Sequence, residues 1–548
     1  MPEARKSPQP QQKSILLGFA IRRRGPSGRW RIQFRWGRIF GVLAIMAIIG
    51  YFALTTALFV FFKKVQKFDD VSYADMFTVL LHMDEHRAKV GDYQIERAKE
   101  MLEKQQYNDA FTFLREGVVR SPKNNEGRLL LSEYFIVLPK LGGPDRAIDL
   151  LREGVPYAKE DPAYLQRYIQ LLLQQQLDVE VIAVSEEILA GEPNKDVQRL
   201  LAVASATANL LRGNFDAAED FVKTYNLEDE LEGLRLSARI TWERGQEKAA
   251  IEKLENAIGK FQTNEPIYAA LAKYHRDRGE GDKARQYAVR RNIEAPLAVA
   301  PRIELLPILS MTGEDERAAR EAEAILRQFR KEENALLLLA NYATDDGKID
   351  LARRIYEEAL ENDFPIGKFA LLLIEAHIVA GDYEGAISFS EELAKERPDW
   401  LESNMPVFNS LRAVAYFGVG NDNLAGIYTD QFLKESNVRV ESLLAVSRRF
   451  AALGGNQFAR KILKQAYENN PKNQAALSNL IQIEIETGNA AELGNYLKRL
   501  LQMRRPSIDI LQQAYQKLGS DRFIFTPDRE TLLIELNAVI NPEGQQAG

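Results

Sequence analysis

The sequence predicts an all-α chain in which one membrane-spanning helix precedes a solenoid of stacked helix pairs. Three observations predict it: an uncharged run long enough to cross a bilayer, a basic segment just before that run, and a turn-glycine pattern that returns every 34 residues. The 548 residues are 45% apolar and 27% charged, enough for several cores, so collagen-like and low-complexity classes are excluded. With no cysteine, the chain has no disulfide framework, thiol nucleophile, zinc ribbon or cysteine-ligated cluster. Only four histidines remain for chemistry.

The membrane segment is Ile39–Phe62, 24 consecutive residues without a charge. As a helix it spans about 36 Å, enough for a bilayer core, and a helix satisfies its own backbone hydrogen bonds in lipid. A cleaved signal peptide has a shorter apolar region and a small-residue cleavage site, whereas Phe-Val-Phe-Phe-Lys-Lys follows here, so the run reads as an uncleaved anchor. Residues 1–38 carry ten Lys or Arg against Glu3 alone, a net charge of +9, and the remainder after Phe62 sums to −15. The positive-inside rule therefore keeps the tail cytoplasmic and puts the C-terminal bulk outside, although Lys63, Lys64 and Lys67 weaken the bias. Trp30, Phe34 and Trp36 suit an interfacial aromatic belt. Their interleaving with arginines invites a nucleic-acid reading, but a juxtamembrane cluster that holds anionic lipid explains the same residues, and no nucleic acid is expected.

The repeat occupies residues 93–506. Gly347-Lys-Ile349-x-x-Ala352, Gly381-Asp-Tyr383-x-x-Ala386, Gly213-Asn-Phe215-x-x-Ala218 and Gly488-Asn-Ala490-x-x-Leu493 share a turn glycine, a hydrophobic or small residue two later and a small or apolar one five later. That last slot is filled in turn by Ala110, Ala147, Val181, Ala218, Ala250 and Ala284, then by Ala318, Ala352, Ala386, Ala425, Ala459 and Leu493. From Ala250 to Ala386 the step is 34 residues throughout. Apolar residues four and seven after the slot, such as Leu463 and Ala466, share one helix face and pack inward. Prolines twelve after it (Pro122, Pro193, Pro296, Pro398, Pro471) cannot continue a helix and so start the next turn. A 39-residue step between Ala386 and Ala425 implies an insertion near Trp400–Pro406.

This Gly…Tyr…Ala…Ala…Pro spacing resembles the tetratricopeptide repeat family, whose unit is 34 residues; other α-solenoids prefer other periods. The resemblance implies a right-handed α-solenoid of about twelve helix–turn–helix units behind the anchor. Residues 63–92 read as an amphipathic helix joining membrane to repeats, and 507–548 as capping helices (Ile508–Leu518 and Asp528–Ile540) with a tail. In that family the concave surface holds extended peptides or a partner helix, often through side chains six and ten residues before the turn glycine. Carried over, those slots are Arg235 and Arg239 before Gly245, Lys273 before Gly279, Asn341 before Gly347, Arg448 before Gly454 and Gln482 before Gly488. Arg235, Arg239 and Lys273 form a candidate basic stripe for acidic groups or a C-terminal carboxylate, and the bland alternative is ordinary surface charge. The family's Lys/Asn carboxylate clamp is not reproduced in consecutive units.

Chemistry is sparse. No phosphate-binding Gly-x-x-x-x-Gly-Lys-Ser/Thr loop, no Gly-x-Gly-x-x-Gly after a strand and no Gly-x-Ser-x-Gly elbow occurs. His82 and His86 share a helix face, yet Met83 stands where a metalloprotease needs its glutamate, so a solvated or capping pair is the preferred reading and no metal or other cofactor is expected. His275 and His377, each four residues before a turn glycine, read as core residues, and paired acids such as Glu357-Glu358 as solvated faces. The expectation is thus a non-enzymatic scaffold in a bacterial envelope, with a protein partner; a component of an exopolysaccharide export system is the second reading, and a metal enzyme using His82 and His86 a distant third.

Overall fold

The computed structural model describes residues 13–24, 29–65, 72–78, 82–435 and 438–541. It divides into two compact units, Met1–Ala158 and Lys159–Gly548.

The first unit departs from an all-α chain at its start. Strands β1 (Lys13–Ile15), β2 (Ala20–Arg24) and β3 (Trp30–Phe34) form an antiparallel meander in which Ala20 pairs with Phe34 and Arg22 with Ile32. The cause is visible in β3, where Trp30, Ile32 and Phe34 alternate with Arg31 and Gln33, a period of two that the count of basic residues obscures. Arg22 lies 4.7 Å from the centre of the Trp30 ring. Helix α1 (Trp36–Val60) continues through a wider turn, Phe61–Val65, and is the one described helix long and apolar enough to cross a membrane.

Two helices, rather than one, occupy the segment between the membrane run and the repeats; of it, 66–71 and 79–81 lie outside the described residues. The short α2 (Tyr73–Thr78) packs back on α1: Phe77 meets Tyr51 at 5.2 Å and Phe52 at 5.4 Å between ring centres, and Tyr73 meets Phe59 at 5.7 Å. Tyr51 Oη donates to the Phe77 carbonyl, and the Thr56 and Tyr73 hydroxyls lie 3.1 Å apart. Met76 is fully buried among Leu58, Phe59 and Phe62 of the anchor and Val90 and Tyr93 of α3 (Met83–Glu103). The anchor's far end is therefore part of a small core and not a free tether. Helix α3 pairs with α4 (Tyr107–Arg120), and α5 (Asn125–Val137) with α6 (Gly143–Gly154).

The second unit repeats this pairing: α7 (Pro162–Gln174) with α8 (Asp178–Leu189), α9 (Lys195–Arg212) with α10 (Phe215–Thr224), α11 (Leu231–Glu243) with α12 (Glu247–Glu255), and α13 (Glu265–Asp277) with α14 (Gly281–Glu294). Then follow α15 (Val299–Met311) and α16 (Asp315–Phe329), α17 (Glu333–Asp345) and α18 (Ile349–Glu361), and α19 (Gly367–Val379) and α20 (Tyr383–Glu396). The last pairs are α21 (Pro398–Gly418) with α22 (Asp422–Lys434), α23 (Val440–Ala452) with α24 (Asn456–Asn469), and α25 (Gln474–Thr487) with α26 (Leu493–Leu501). Helices α27 (Ile508–Leu518) and α28 (Arg529–Ile540) bury Leu511, Ala514, Leu518, Leu532 and Leu536 and close the end of the stack.

Every residue in the small-residue slot, from Ala110 to Leu493, is buried, because this is where the two helices of a pair approach most closely. The turn glycine is needed for a backbone reason: Gly347 has φ +62°, and a Cβ there would lie 3.1 Å from the Ala380 backbone. Asparagine caps start three of the first helices, Asn124 accepting from Gly127 N at 2.8 Å, Asn194 from Val197 N at 3.0 Å and Asn473 from Ala476 N at 2.9 Å. The insertion inferred near Trp400–Pro406 is absorbed as helix: α21 runs 21 residues where most first helices have 13. Consecutive first helices from α15 to α25 touch one another, and Arg449 of α23 reaches Glu375 of α19 at 3.0 Å, across the pair between them.

One contact is long-range in sequence. Between α26 and α27, Arg504 makes two hydrogen bonds to Asp178, at 2.7 and 2.8 Å, and a third to the Leu173 carbonyl at 2.7 Å. Arg505 N donates to the Leu211 carbonyl at 2.9 Å while its guanidinium sits 4.8 Å from the centre of the Phe215 ring. Gly213, with φ +83°, leaves room for that side chain, since a Cβ would meet Arg505 at 2.8 Å. The final loop of the stack thus clasps the turns of the unit's first two pairs.

Candidate binding groove

Arg235 and Arg239 stand one turn apart on α11, so their side chains share a face, and Lys273 stands on the neighbouring first helix α13. All three are exposed, and all three line one groove of about 460 Å³ with Trp242, Glu243 and Tyr274. The other wall comes from Val203 and Thr207 of α9. Trp242 and Tyr274 stack with ring centres 4.1 Å apart and planes 6° from parallel, bracing α11 against α13 beneath the cations. Burial pushes the Tyr274 phenol up to about 12, with the nearby positive charge of Arg239 pulling the other way, so it stays a neutral hydrogen-bonding group at any physiological pH. Glu232 and Glu243 also reach the groove, so the site is mixed in sign with a local excess of cations.

Asn341 on α17, Arg448 on α23 and Gln482 on α25 are exposed but lie outside this groove. Each is hydrogen-bonded within its own helix: Asn341 to the Leu337 carbonyl at 2.7 Å, Arg448 to the Leu444 carbonyl at 3.3 Å and Gln482 to Glu486 at 3.1 Å. The fold thus gathers Arg235, Arg239 and Lys273 and leaves the other three separate. Trp242 and Tyr274 occupy neither of the slots six and ten before a turn glycine; their signal in the sequence is position, three residues after Arg239 and next to Lys273.

The histidines serve structure. His275 and His377 are buried, and their Nδ1 atoms lie 2.6 Å from Glu280 and 2.7 Å from Asp382, acids that follow the turn glycines directly. The backbone N–H of Gly385, and then His377, hold the Asp382 carboxyl below its usual range, and His377 in turn faces Arg353 at 3.2 Å. His82 sits at the N-cap of α3, and His86 packs edge-on to Phe62 at 5.1 Å. Among the described residues no group of three or more His, Asp or Glu side chains is arranged to hold a metal ion.

No family model matches the chain, and no curated protein matches it. Solved structures similar to it include the Naa15/Naa10 complex bound to HypK-THB, at 15% identity over 90% of this chain and 79% of that chain, with a TM-score of 0.29. A tetratricopeptide repeat protein from Parabacteroides merdae is 17% identical over 46% of this chain and 98% of its own, with a TM-score of 0.29. The type IV pilus biogenesis factor PilW is 16% identical over 45% of this chain and 96% of its own, with a TM-score of 0.28. The stacked helix pairs themselves, with their turn glycines and buried small-residue slots, make this a solenoid of tetratricopeptide-like repeats carrying one long apolar helix near its N-terminus.

Proposed function

We propose that the protein is a non-enzymatic scaffold anchored in a bacterial cytoplasmic membrane by α1, with its N-terminus inside and its repeats outside. About twelve units, wound right-handed over 93–506, would hold another envelope protein during assembly, quality control or secretion, while the basic tail sits on anionic lipid. The observation that carries this reading is the meeting of Arg235, Arg239 and Lys273 over the Trp242–Tyr274 stack in one open groove. Guanidinium groups bind carboxylates through paired hydrogen bonds, and a groove of first helices suits an extended acidic segment or a chain's C-terminus. Asn341, Arg448 and Gln482 would add modest contacts further along, and confinement to the membrane plane raises the local concentration of a partner in the same envelope.

The test is crosslinking and copurification in cells with the full-length protein, comparing wild type with a variant carrying Glu at positions 235, 239 and 273. Capture of one envelope protein, lost in the variant, is the expected result; capture unchanged by the three substitutions removes the groove from the proposal.

A second reading has one observation in its favour. The aromatic pair Trp242 and Tyr274 on the groove wall is the kind of surface on which sugar rings stack, which suits passage of an exported polysaccharide. Polysaccharide in place of protein in the same pull-down would put that reading first.

A further inference from the structure

At the end of α1 away from the basic tail, the first unit holds a concavity of about 550 Å³ between the anchor's last turn and the pair α3/α4. Its lining includes three aromatic rings: Phe61 and Phe62 from the turn after α1, and Phe113 from α4. It also includes three arginines, Arg87 and Arg97 on α3 and Arg120 closing α4. These charges are poorly compensated. Arg97 lies 5.1 Å from the centre of the Phe113 ring and has no ion-pair partner among the described residues. Among the described residues Arg87 reaches the Val119 carbonyl, at 3.4 Å. The nearest carboxylate to Arg120 is Glu116 at 3.8 Å, and the same oxygen already accepts from Gln94 at 2.8 Å. Asp84 is the only other acid on the wall.

The position decides the ligand. Phe61 is exposed and continues an apolar helix that is largely uncovered outside its contact with α2, so the aromatic lining of the concavity runs on into the surface that α1 offers to lipid. A molecule that fits must be apolar where it meets Phe61 and Phe62 and anionic where it meets the arginines, whose planar forks match phosphate oxygens. We infer that this concavity holds the phosphate-bearing headgroup of an anionic membrane lipid, with its acyl chains along α1. The inference rests on α1 crossing a bilayer and is independent of the groove on α11 and α13. It gives the first repeat pair a fixed seat on the membrane surface, in addition to the contact through Met76.

The test uses the full-length protein in nanodiscs of phosphatidylglycerol and phosphatidylcholine, followed by detergent extraction and native mass spectrometry of the lipid that stays bound. Wild type should keep phosphatidylglycerol over phosphatidylcholine by about tenfold, the equivalent of one charge-assisted hydrogen bond. The double variant Arg97→Glu, Arg120→Glu should lose that preference, while Arg29→Gln with Arg31→Gln in the basic tail should keep it. Circular dichroism checks that each variant folds, and the exposed Arg87→Gln replaces the double variant if it does not. Equal retention in the pocket variants, or loss only in the tail variant, overturns the inference. Displacement of the lipid by millimolar inorganic phosphate would make this a site for soluble anions and overturns the lipid assignment. Failure of the wild type to enter the bilayer, read as release by alkaline carbonate, overturns the anchor itself, a result distinct from retention without selectivity.

Discussion

Asp382 shows how much one turn of a repeat depends on a single side chain. It caps α20 by accepting from Gly385 N at 3.0 Å and holds the buried His377 at 2.7 Å, so its substitution frees two buried or half-buried donors. Asp382→Ala should lower stability by about 1–2 kcal/mol, the usual cost of an N-cap, and Asp382→Asn, which keeps the acceptor, should cost less; melting curves followed by circular dichroism would rank them. The pH dependence follows from the sign of the shift. A carboxyl held below its ordinary 3.8 in the fold stabilises fully above that value and loses its contribution as pH falls through the lowered one. Acid melts of wild type and Asp382→Asn should therefore converge once the pH falls below that lowered value. Ala386 makes the complementary point about space: it is fully buried between the helices of a pair, so Ala386→Trp should overpack it by at least about 1–3 kcal/mol, and an unchanged melt would contradict the packing role.

Helices and loops reveal a different dependence, since a buried ion pair of the second unit joins the start of α8 to a loop far apart in sequence. Asp178 is 1% exposed, and its charge is tolerated because Arg504 meets it with two parallel hydrogen bonds. Arg504→Ala leaves a buried carboxylate unpaired, and a loss of about 3–5 kcal/mol is expected, with faster hydrogen exchange at the α7–α8 and α9–α10 turns. Asp178→Asn combined with Arg504→Met should recover much of it, because removing both charges removes the desolvation penalty as well. Nothing in the sequence pairs these positions: 326 residues separate them, and each looks like an ordinary end-of-helix charge. The same is true of α2, whose contacts with α1 and α3 through Met76 become readable only when three segments are placed together.

The distribution of charge over the full chain carries the last prediction. A +9 segment before the apolar helix and a −15 remainder after it argue for translocation of the repeats, so an extracytoplasmic reporter fused after Gly548 should be active and a cytoplasmic one silent. Binding through Arg235, Arg239 and Lys273 to an acidic partner should weaken as salt rises, because exposed charges are screened within about 10 Å at 0.1 M. Binding through the aromatic pair should respond far less. A salt series on the captured complex separates the two readings of the groove.

Periodicity made most of the helix pairs legible in advance. A pattern of 34 places a small residue, a turn glycine and an apolar face at fixed offsets, and local propensity with nearest-neighbour packing then dictates each pair, as the burial of every slot from Ala110 to Leu493 attests. The slots six and ten residues before the turn glycine, carried over with the resemblance, named Arg235, Arg239 and Lys273, because equal offsets on α11 and α13 bring them to one groove. What had no period stayed hidden. The meander at Lys13–Phe34 depends on pairing between strands, the Trp242–Tyr274 stack on the approach of two helices, and the Arg504–Asp178 clasp on the curvature accumulated over many pairs. Curvature is a sum of small angles set by packing, and no single segment of the chain encodes it.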